Sequence, residues 1–295
     1  MGKSPQEVQR LLEGPVNSIP TTFLPDGELD WEGIARAIER GIAGGSRVSL
    51  LTNGDSQFEF LSDDEIARLT EFLVERVRGR ALTVAATRPW WTGKALGFAR
   101  FCRSVDVDAL MVLPSRQAQD PRGLVAHYRA LAEAMPVMLV GEPSYEVLDG
   151  LLDVPNICCF KEDGTEAYAI RTMQRYGGRW KFMTGGTLWR HHTQRPYGCR
   201  AFFCCYSSFA PHVAQRYMDA LRTSDEAAAS AVLTGVDIPF FGLDAEFAGG
   251  IQAVWRGALE LNGIASRWLR PPMTTLSEQD MERLRQRLAA LGLLA

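Results

Sequence analysis

The sequence predicts an α/β protein, a (β/α)8 TIM barrel with a C-terminal helical extension. Eight short runs rich in β-forming residues alternate with longer stretches in which apolar residues recur every three or four positions. The chain has 295 residues, 46% of them hydrophobic, which suits one large barrel with a sizeable core. No glycine-rich phosphate loop follows the first strand, and this disfavours a doubly wound sheet.

The predicted strands are bounded by polar or turn-forming residues, and amphipathic segments such as 34–43 and 63–77 separate them. Ser62 and Glu65 form a capping box that marks the start of the second of these helices. The eight strands are expected at 16–22, 47–52, 82–87, 109–113, 136–141, 156–161, 180–184 and 201–206.

The chain continues beyond the eighth strand, so we predict a barrel over residues 1–222 and a helical extension over 223–295. Helices are expected at 224–236 and 251–261. A last helix begins after Ser277, with Met281, Leu284, Leu288 and Leu291 on one stripe.

Charge and composition exclude several classes of protein. A formal net charge of -3 gives no reason to expect nucleic acid or an anionic membrane as a partner. No apolar stretch of membrane-spanning length and no signal peptide is recognised, so we expect a cytoplasmic protein. Six cysteines without C-x-x-C spacing predict buried free thiols, and we expect neither a metal site nor a cofactor.

Lys161 is the most informative residue because it ends the apolar run Ile157-Cys158-Cys159-Phe160, just before a polar turn. Burial at such a boundary disfavours the ammonium form of a lysine and makes its amine nucleophilic towards carbonyls, as Schiff-base chemistry requires. The alternative is a structural lysine whose stem packs on the sheet while its head reaches water. Strict alternation along the strand predicts Ile157, Cys159 and Lys161 on one face, filling the barrel interior.

Four segments together resemble the dihydrodipicolinate synthase / N-acetylneuraminate lyase family of class I, Schiff-base aldolases and dehydratases. Phe160-Lys161-Glu162 is similar to the segment that carries the family's Schiff-base lysine. Leu51-Thr52-Asn53-Gly54-Asp55 resembles its G-T-T-G-E loop. Ile19 to Phe23, with Asp26-Gly27, resembles the first-strand segment, and Gly198 to Pro211 fits the spacing of the pattern around the eighth strand.

The resemblance implies that Lys161 lies at the mouth of the sixth strand and forms an imine with a 2-keto acid. It implies that Thr52, Asn53 and Gly54 bind the substrate carboxylate and that Phe203, in the eighth-strand segment, contacts the substrate. The alternative for the Asn-Gly turn is an ordinary connection between a strand and a helix. The resemblance also implies a homo-oligomer, a tetramer or a dimer.

Two departures from the family pattern matter for the chemistry. The family's Y-N-x-P segment is replaced by Val140-Gly141-Glu142-Pro143, so an aliphatic side chain stands where a proton-handling tyrosine is expected. The tyrosine pair of the fourth loop is missing from Val112 to Arg116. Dihydrodipicolinate synthase activity itself is therefore not expected.

Three residues near these positions are candidates for the lost functions. Glu142 is a possible general base, Tyr145 a possible source of a phenol, and Arg116 a possible partner for a substrate carboxylate. Each has the alternative of being a solvated loop residue. Trp90 and Trp91, after the third strand, are expected to line the pocket or to lie at a subunit interface.

The leading hypothesis is a lyase, an aldolase or dehydratase that forms a Schiff base between Lys161 and a 2-keto acid such as pyruvate or a 2-keto-3-deoxy sugar acid. A second hypothesis is a catalytically degenerate barrel that binds a keto acid or a protein partner without turnover. Metal-assisted aldol chemistry is a third, and it requires a clustered site of histidines and carboxylates that the sequence does not assemble.

Overall fold

A computed structural model describes residues 2–294 and shows a closed barrel of eight parallel strands in sequential order. This confirms the predicted fold class. The strands are β1 (Gly14–Ser18), β2 (Val48–Leu50), β3 (Leu82–Ala86), β4 (Ala109–Val112), β5 (Val137–Gly141), β6 (Ile157–Glu162), β7 (Lys181–Thr184) and β8 (Cys199–Cys204). The first strand begins and ends earlier than predicted, and residues 19–22 continue from it as an irregular segment.

A helix precedes the barrel, a helix follows each strand, and further helices form the C-terminal part. They are α1 (Pro5–Leu11), α2 (Trp31–Ala43), α3 (Asp63–Val77), α4 (Thr92–Ser104), α5 (Pro121–Ala134), α6 (Tyr145–Asp149), α7 (Glu166–Tyr176), α8 (Leu188–Gln194), α9 (Pro211–Arg222), α10 (Glu226–Val232), α11 (Ile238–Gly242), α12 (Gly250–Leu261) and α13 (Glu278–Ala290). The predicted capping box at the start of α3 is confirmed, because Glu65 N–H donates to Ser62 Oγ and Ser62 N–H donates to Glu65 Oε2.

One detail of the predicted β6 is wrong. Val137 pairs with Ile157 whereas Met138 pairs with Cys159, so the register shifts by one residue and β6 contains a bulge at its start. Cys159 packs in one hydrophobic cluster with Met138 of β5 and Met183 of β7. Ile157 instead packs in the outer cluster that includes Phe160. A bulge restarts the alternation of side chains, which is why strict alternation misplaced Ile157.

The C-terminal helices pack against the barrel through one hydrophobic cluster, which includes Tyr217 of α9, Phe240 of α11 and Leu284 of α13. The helix predicted at 224–236 begins at Glu226 and continues beyond residue 236, because α10 runs through a π-helical turn, Leu233–Asp237, into α11. The boundary at residue 222 between barrel and extension stays a prediction.

Two further expectations concern a membrane-spanning segment and the cysteines. By length and composition alone, the run Glu226–Ala245 is apolar enough to cross a membrane, contrary to the sequence expectation, although core helices of soluble proteins also meet this criterion. In the structure much of this run packs against the cluster described above. The six cysteines are buried free thiols, as predicted.

Candidate active site

A cavity of ≈ 410 Å³ opens at the carboxyl ends of the barrel strands. In (β/α)8 enzymes this end of the barrel carries the active site. The cavity brings together five of the eight predicted site residues, Thr52, Asn53, Gly54, Lys161 and Phe203. Its other lining residues are Asp55, Thr87, Met111, Leu113, Val140, Asp163, Gly186, Cys205, Phe240, Phe241, Ile251, Gln252 and Trp255.

Lys161 points from β6 into this cavity with only 11% of its side chain exposed. Its backbone pairs with Val140 of β5 and Met183 of β7, so apolar side chains flank it on both neighbouring strands. Its Nζ lies 5.4 Å from the ring centroid of Phe203, within the range of a cation–π contact. The amine is therefore largely removed from water while it still borders the cavity.

Asp163 forms an ion pair with the Lys161 amine. Both carboxylate oxygens of Asp163 lie 2.6 Å from Nζ and accept hydrogen bonds from it. The Asp163 side chain is 40% exposed, so water reaches the carboxylate more readily than the amine. Sequence reasoning missed this partner, although alternation continued past the end of β6 places Asp163 on the same side as Lys161.

The glycine after β7 leaves room for this ion pair. A Cβ atom added at Gly185 would lie 2.0 Å from Asp163 Oδ1 and 2.8 Å from Lys161 Nζ. No side chain fits there unless the ion pair moves.

Glu162, the residue between the two, faces away from the cavity and is fully buried. It accepts hydrogen bonds from Arg190 of α8, at 3.0 Å from Nε and 2.7 Å from Nη2, and from the Thr184 hydroxyl at 3.2 Å. The charge-assisted bonds from Arg190 tie the end of β6 to α8. This pair fixes the strand that presents Lys161 and is not part of the cavity.

The loop after β2 forms the second polar part of the cavity wall. Its turn is closed by Thr52 N–H, which donates to Ser56 Oγ at 3.1 Å, and by Asp55 N–H, which donates to Thr52 Oγ1 at 2.9 Å. Thr52 Oγ1 therefore accepts a bond and keeps its hydroxyl proton available. Within residues 2–294, the N–H groups of Asn53 and Gly54 make no hydrogen bond, and the buried Asn53 Oδ1 has no partner.

Arg256 of α12 supports this loop by hydrogen bonding to its backbone. Its guanidinium is fully buried and donates to the carbonyl oxygens of Thr21 and Asp55 and to the Gln252 side-chain oxygen. Burial lowers the pKa of Arg256 to about 10, so it stays charged at neutral pH. Asp55 is fixed as well, because its carboxylate accepts from Ser18 Oγ at 2.9 Å and from Gln252 Nε2 at 3.0 Å.

The other three predicted site residues do not line the cavity. Glu142 and Arg116 are exposed loop residues. Tyr145 begins α6, where its ring stacks on Tyr168 with centroids 5.8 Å apart. Their suggested functions rest on the sequence alone.

The two tryptophans after β3 also lie outside the cavity lining. Trp90 packs edge-on against Phe98, with ring centroids 5.2 Å apart, and Trp91 is 74% exposed. The interface role of Trp91 stays a prediction. Within the described residues 2–294, no three His, Cys, Asp or Glu side chains come together in a way that could hold a metal ion.

The sequence of this chain is similar to those of two kinds of known protein. The chain is 28% identical to a probable 5-dehydro-4-deoxyglucarate dehydratase of Streptomyces avermitilis, over 88% of this chain and 82% of that protein. It is 28% identical to a 4-hydroxy-tetrahydrodipicolinate synthase of Acidiphilium cryptum, over 97% of this chain and all of that one.

Solved structures show the same fold. Dihydrodipicolinate synthase from Bacillus clausii superposes with a TM-score of 0.87 at 23% identity, covering 97% of this chain and 100% of that one. YagE from Escherichia coli K12, solved in complex with pyruvate, superposes with a TM-score of 0.84 at 22% identity, covering 96% and 99%. The model of the dihydrodipicolinate synthetase family matches residues 11–291, and the chain therefore belongs to this family.

Proposed function

We propose that this protein is a lyase that forms a Schiff base with a 2-keto acid and acts as an aldolase or a dehydratase. The observation that carries the proposal is the buried Lys161 amine, which borders the cavity at the mouth of β6 and is held by Asp163. Membership of the family and the low identity to a dehydratase and a synthase support a lyase without selecting one substrate.

In the first step the Asp163 carboxylate accepts a proton from the Lys161 ammonium group, and the free amine attacks the ketone carbon. In the tetrahedral adduct a second proton passes from the nitrogen to the former carbonyl oxygen, which becomes a hydroxyl group. Asp163 then returns its proton to this hydroxyl group, which leaves as water. The products are a protonated imine on Lys161 and a carboxylate on Asp163. The carboxylate, already at 2.6 Å from the nitrogen, stabilises the cationic imine by charge.

The loop after β2 supplies the site for the keto acid carboxylate. The free N–H groups of Asn53 and Gly54 and the hydroxyl proton of Thr52 are donors at one wall of the same cavity. Donors that have no partner in the protein are available to a ligand, and charge-assisted bonds to a carboxylate are the stronger kind.

The protonated imine accepts the electron pair of a bond that breaks at carbon 3, the C3–C4 bond in aldol cleavage or a C3–H bond in dehydration. The product is an enamine, the intermediate shared by the two reactions. A tyrosine at position 140 would handle protons in these steps, but Val140 lies beside Lys161 on β5 and carries no proton. Asp163 is the ionisable group that contacts the amine, and we assign the proton transfers at the nitrogen to it.

The experiment that tests the proposal is borohydride trapping with pyruvate, read by intact mass and peptide mapping. We expect a reduced pyruvyl adduct on Lys161 and none in Lys161→Ala. The matched control is Lys181→Ala, since Lys181 lies at the opposite end of the barrel and pairs with Glu13 at 3.6 Å. Folded protein that gives no adduct with any 2-keto acid would support the non-catalytic barrel instead.

We also propose that the protein is a cytoplasmic homo-oligomer, a dimer or a tetramer. The family resemblance and the 74% exposure of Trp91 near the barrel mouth support this assembly. Light scattering of wild type and of Trp91→Ser measures the molar mass of the assembly, and we expect a lower mass for the variant.

A further inference from the structure

One side of the cavity is formed by the C-terminal helices and is apolar. Phe240 and Phe241 of α11 and Ile251 and Trp255 of α12 line the same cavity as Lys161, and we call these four residues the distal wall. Phe240 and Trp255 are buried, and the other two are partly exposed. The polar donors of the β2 loop and the Lys161–Asp163 pair come from the barrel, whereas the distal wall comes from the C-terminal helices.

The polar atoms next to the distal wall are already bonded within the protein. The indole N–H of Trp255 donates to Ser208 Oγ at 3.1 Å. Gln252, the polar side chain beside it, donates to Asp55 at 3.0 Å and accepts from Arg256. A hydroxyl-rich substrate chain placed here would lose its bonds to water and find no free partners, which is unfavourable.

The charged side chains that line the cavity also disfavour a second anionic group on the substrate. Among the described residues that line the cavity, Lys161 is the one cationic side chain, and imine formation uses its amine. The other charged groups in the lining, Asp55 and Asp163, are carboxylates. A second carboxylate or a phosphate on the substrate would be desolvated next to like charges, which disfavours binding. Arg116, the cation suggested for that role, lies outside the lining.

The cavity volume accommodates a substrate larger than pyruvate. A cavity of ≈ 410 Å³ is within the range of small-molecule sites and has room for a keto acid with an additional group of ring size. Phe203, beneath the amine, and Leu113, on the β4 loop, extend the apolar surface from the distal wall towards Lys161.

We propose that the substrate is a 2-keto acid with an apolar, ring-sized group on the side remote from its carboxylate. This proposal rests on the proposed function. As an aldol substrate it is R–CH(OH)–CH2–CO–COO⁻ with R apolar. The hydroxyl on carbon 4 gives its proton to the Asp163 carboxylate, the bond between carbons 3 and 4 breaks, and R–CHO leaves. The bonding electron pair forms the enamine, which takes the proton back at carbon 3. Hydrolysis of the imine returns pyruvate and the amine, and no oxidant or reductant is consumed.

The test compares three 2-keto acids in borohydride trapping on Lys161: pyruvate, 2-oxoglutarate and 2-oxo-4-phenylbutanoate. The measured quantity is the ketone concentration that gives half-maximal adduct. We expect this concentration to be at least about tenfold lower for the phenyl compound than for 2-oxoglutarate, since burial of a phenyl group favours binding by more than that factor. Equal or better trapping of 2-oxoglutarate overturns the inference and leaves the proposed function intact. The absence of any adduct overturns both.

Variants of the distal wall show whether the preference for the phenyl compound depends on contact with that wall or on a general effect of the substitution. Phe241→Arg places a cation in the distal wall, and we expect it to shift the preference towards 2-oxoglutarate. Ile238→Arg is the matched control, because Ile238 lies on the same helix, is 50% exposed and does not line the cavity. If Phe241→Arg does not fold, Phe241→Ala should still reduce the preference for the phenyl compound. An unchanged preference in folded variants at position 241 contradicts the inference.

Discussion

Lys161 and Asp163 form a symmetric ion pair, in which both carboxylate oxygens lie 2.6 Å from Nζ. The lysine side chain is 11% exposed and the aspartate side chain 40%. A carboxylate that contacts the amine in the resting state is positioned to accept its proton and to return it. Val140, beside the lysine on β5, carries no ionisable proton. In the proposed mechanism the proton transfers are therefore assigned to the Lys161–Asp163 pair at the end of β6.

Asp163→Asn removes the proton acceptor but keeps a side chain of the same size. We expect the rate of imine formation to fall by about 100-fold or more, the range that general acid–base catalysis contributes. The measurement is the initial rate of borohydride-trapped adduct with pyruvate, alongside thermal unfolding to show that the variant folds. Glu142→Gln is the control, since Glu142 is exposed and outside the cavity lining. A rate loss in Glu142→Gln, with Asp163→Asn active, would reverse the assignment.

Gly185→Ala tests whether the space for the ion pair is required. The added Cβ would lie 2.0 Å from Asp163 Oδ1, so the carboxylate or the strand end must move. We expect the initial rate of borohydride-trapped adduct with pyruvate to fall by about 100-fold, since displacements of about 1 Å have effects of this size. Gly178→Ala is the matched control, because a Cβ there meets nothing within 4 Å. A wild-type rate of adduct formation in folded Gly185→Ala would show that the ion pair tolerates displacement.

The sequence predicted the fold and the position of Lys161 because both depend on local patterns. Period-two and period-3.6 runs identify strands and helices, and an apolar run that ends in a lysine places the amine at a strand end. The turn at Thr52 to Gly54 also reached the cavity as predicted, since loops that follow parallel strands gather at one end of a barrel.

The rest of the site depends on contacts between residues far apart in the chain. Gln252 reaches Asp55, and the distal wall comes from helices that no local motif assigns to the barrel mouth. Glu142 and Tyr145 follow a barrel strand, yet Glu142 is exposed and Tyr145 turns onto α7 to stack with Tyr168. Sequence spacing identified the loop but not the direction of its side chains.

Arg256→Met tests how the C-terminal helices support the β2 loop. The variant leaves the carbonyl oxygens of Thr21 and Asp55 without their donor in a buried region. We expect the free energy of unfolding to fall by about 3 kcal/mol, given about 1–3 kcal/mol for each buried group left unpaired. Urea unfolding measures it. Arg285→Met, which removes an exposed arginine 3.6 Å from Glu282, should change stability by less than about 0.5 kcal/mol. Similar losses in the two variants would contradict the bracing role of Arg256.

Asp237 introduces a pH dependence of stability. Its buried carboxylate accepts hydrogen bonds from Trp189 N–H at 3.0 Å and from the Tyr206 hydroxyl at 3.2 Å. Burial raises the pKa of Asp237 to about 6, above its ordinary value of 3.8. Between these two values the folded state holds a proton that the unfolded state has released. The stability from this group is therefore fully present below about pH 4 and is lost as the pH rises through about 6.

The comparison of wild type with Asp237→Asn isolates this effect, because the variant does not titrate at position 237 while other groups are shared. One shared group is His191, whose pKa burial lowers to about 3, so its contribution runs in the opposite direction. From about pH 4.5 to about pH 7 we expect wild type to lose about 2 kcal/mol of unfolding free energy relative to the variant. Urea unfolding at the two pH values measures the difference. A constant difference would mean that Asp237 ionises alike in the folded and unfolded chain, and that its bonds to Trp189 and Tyr206 offset the effect of burial.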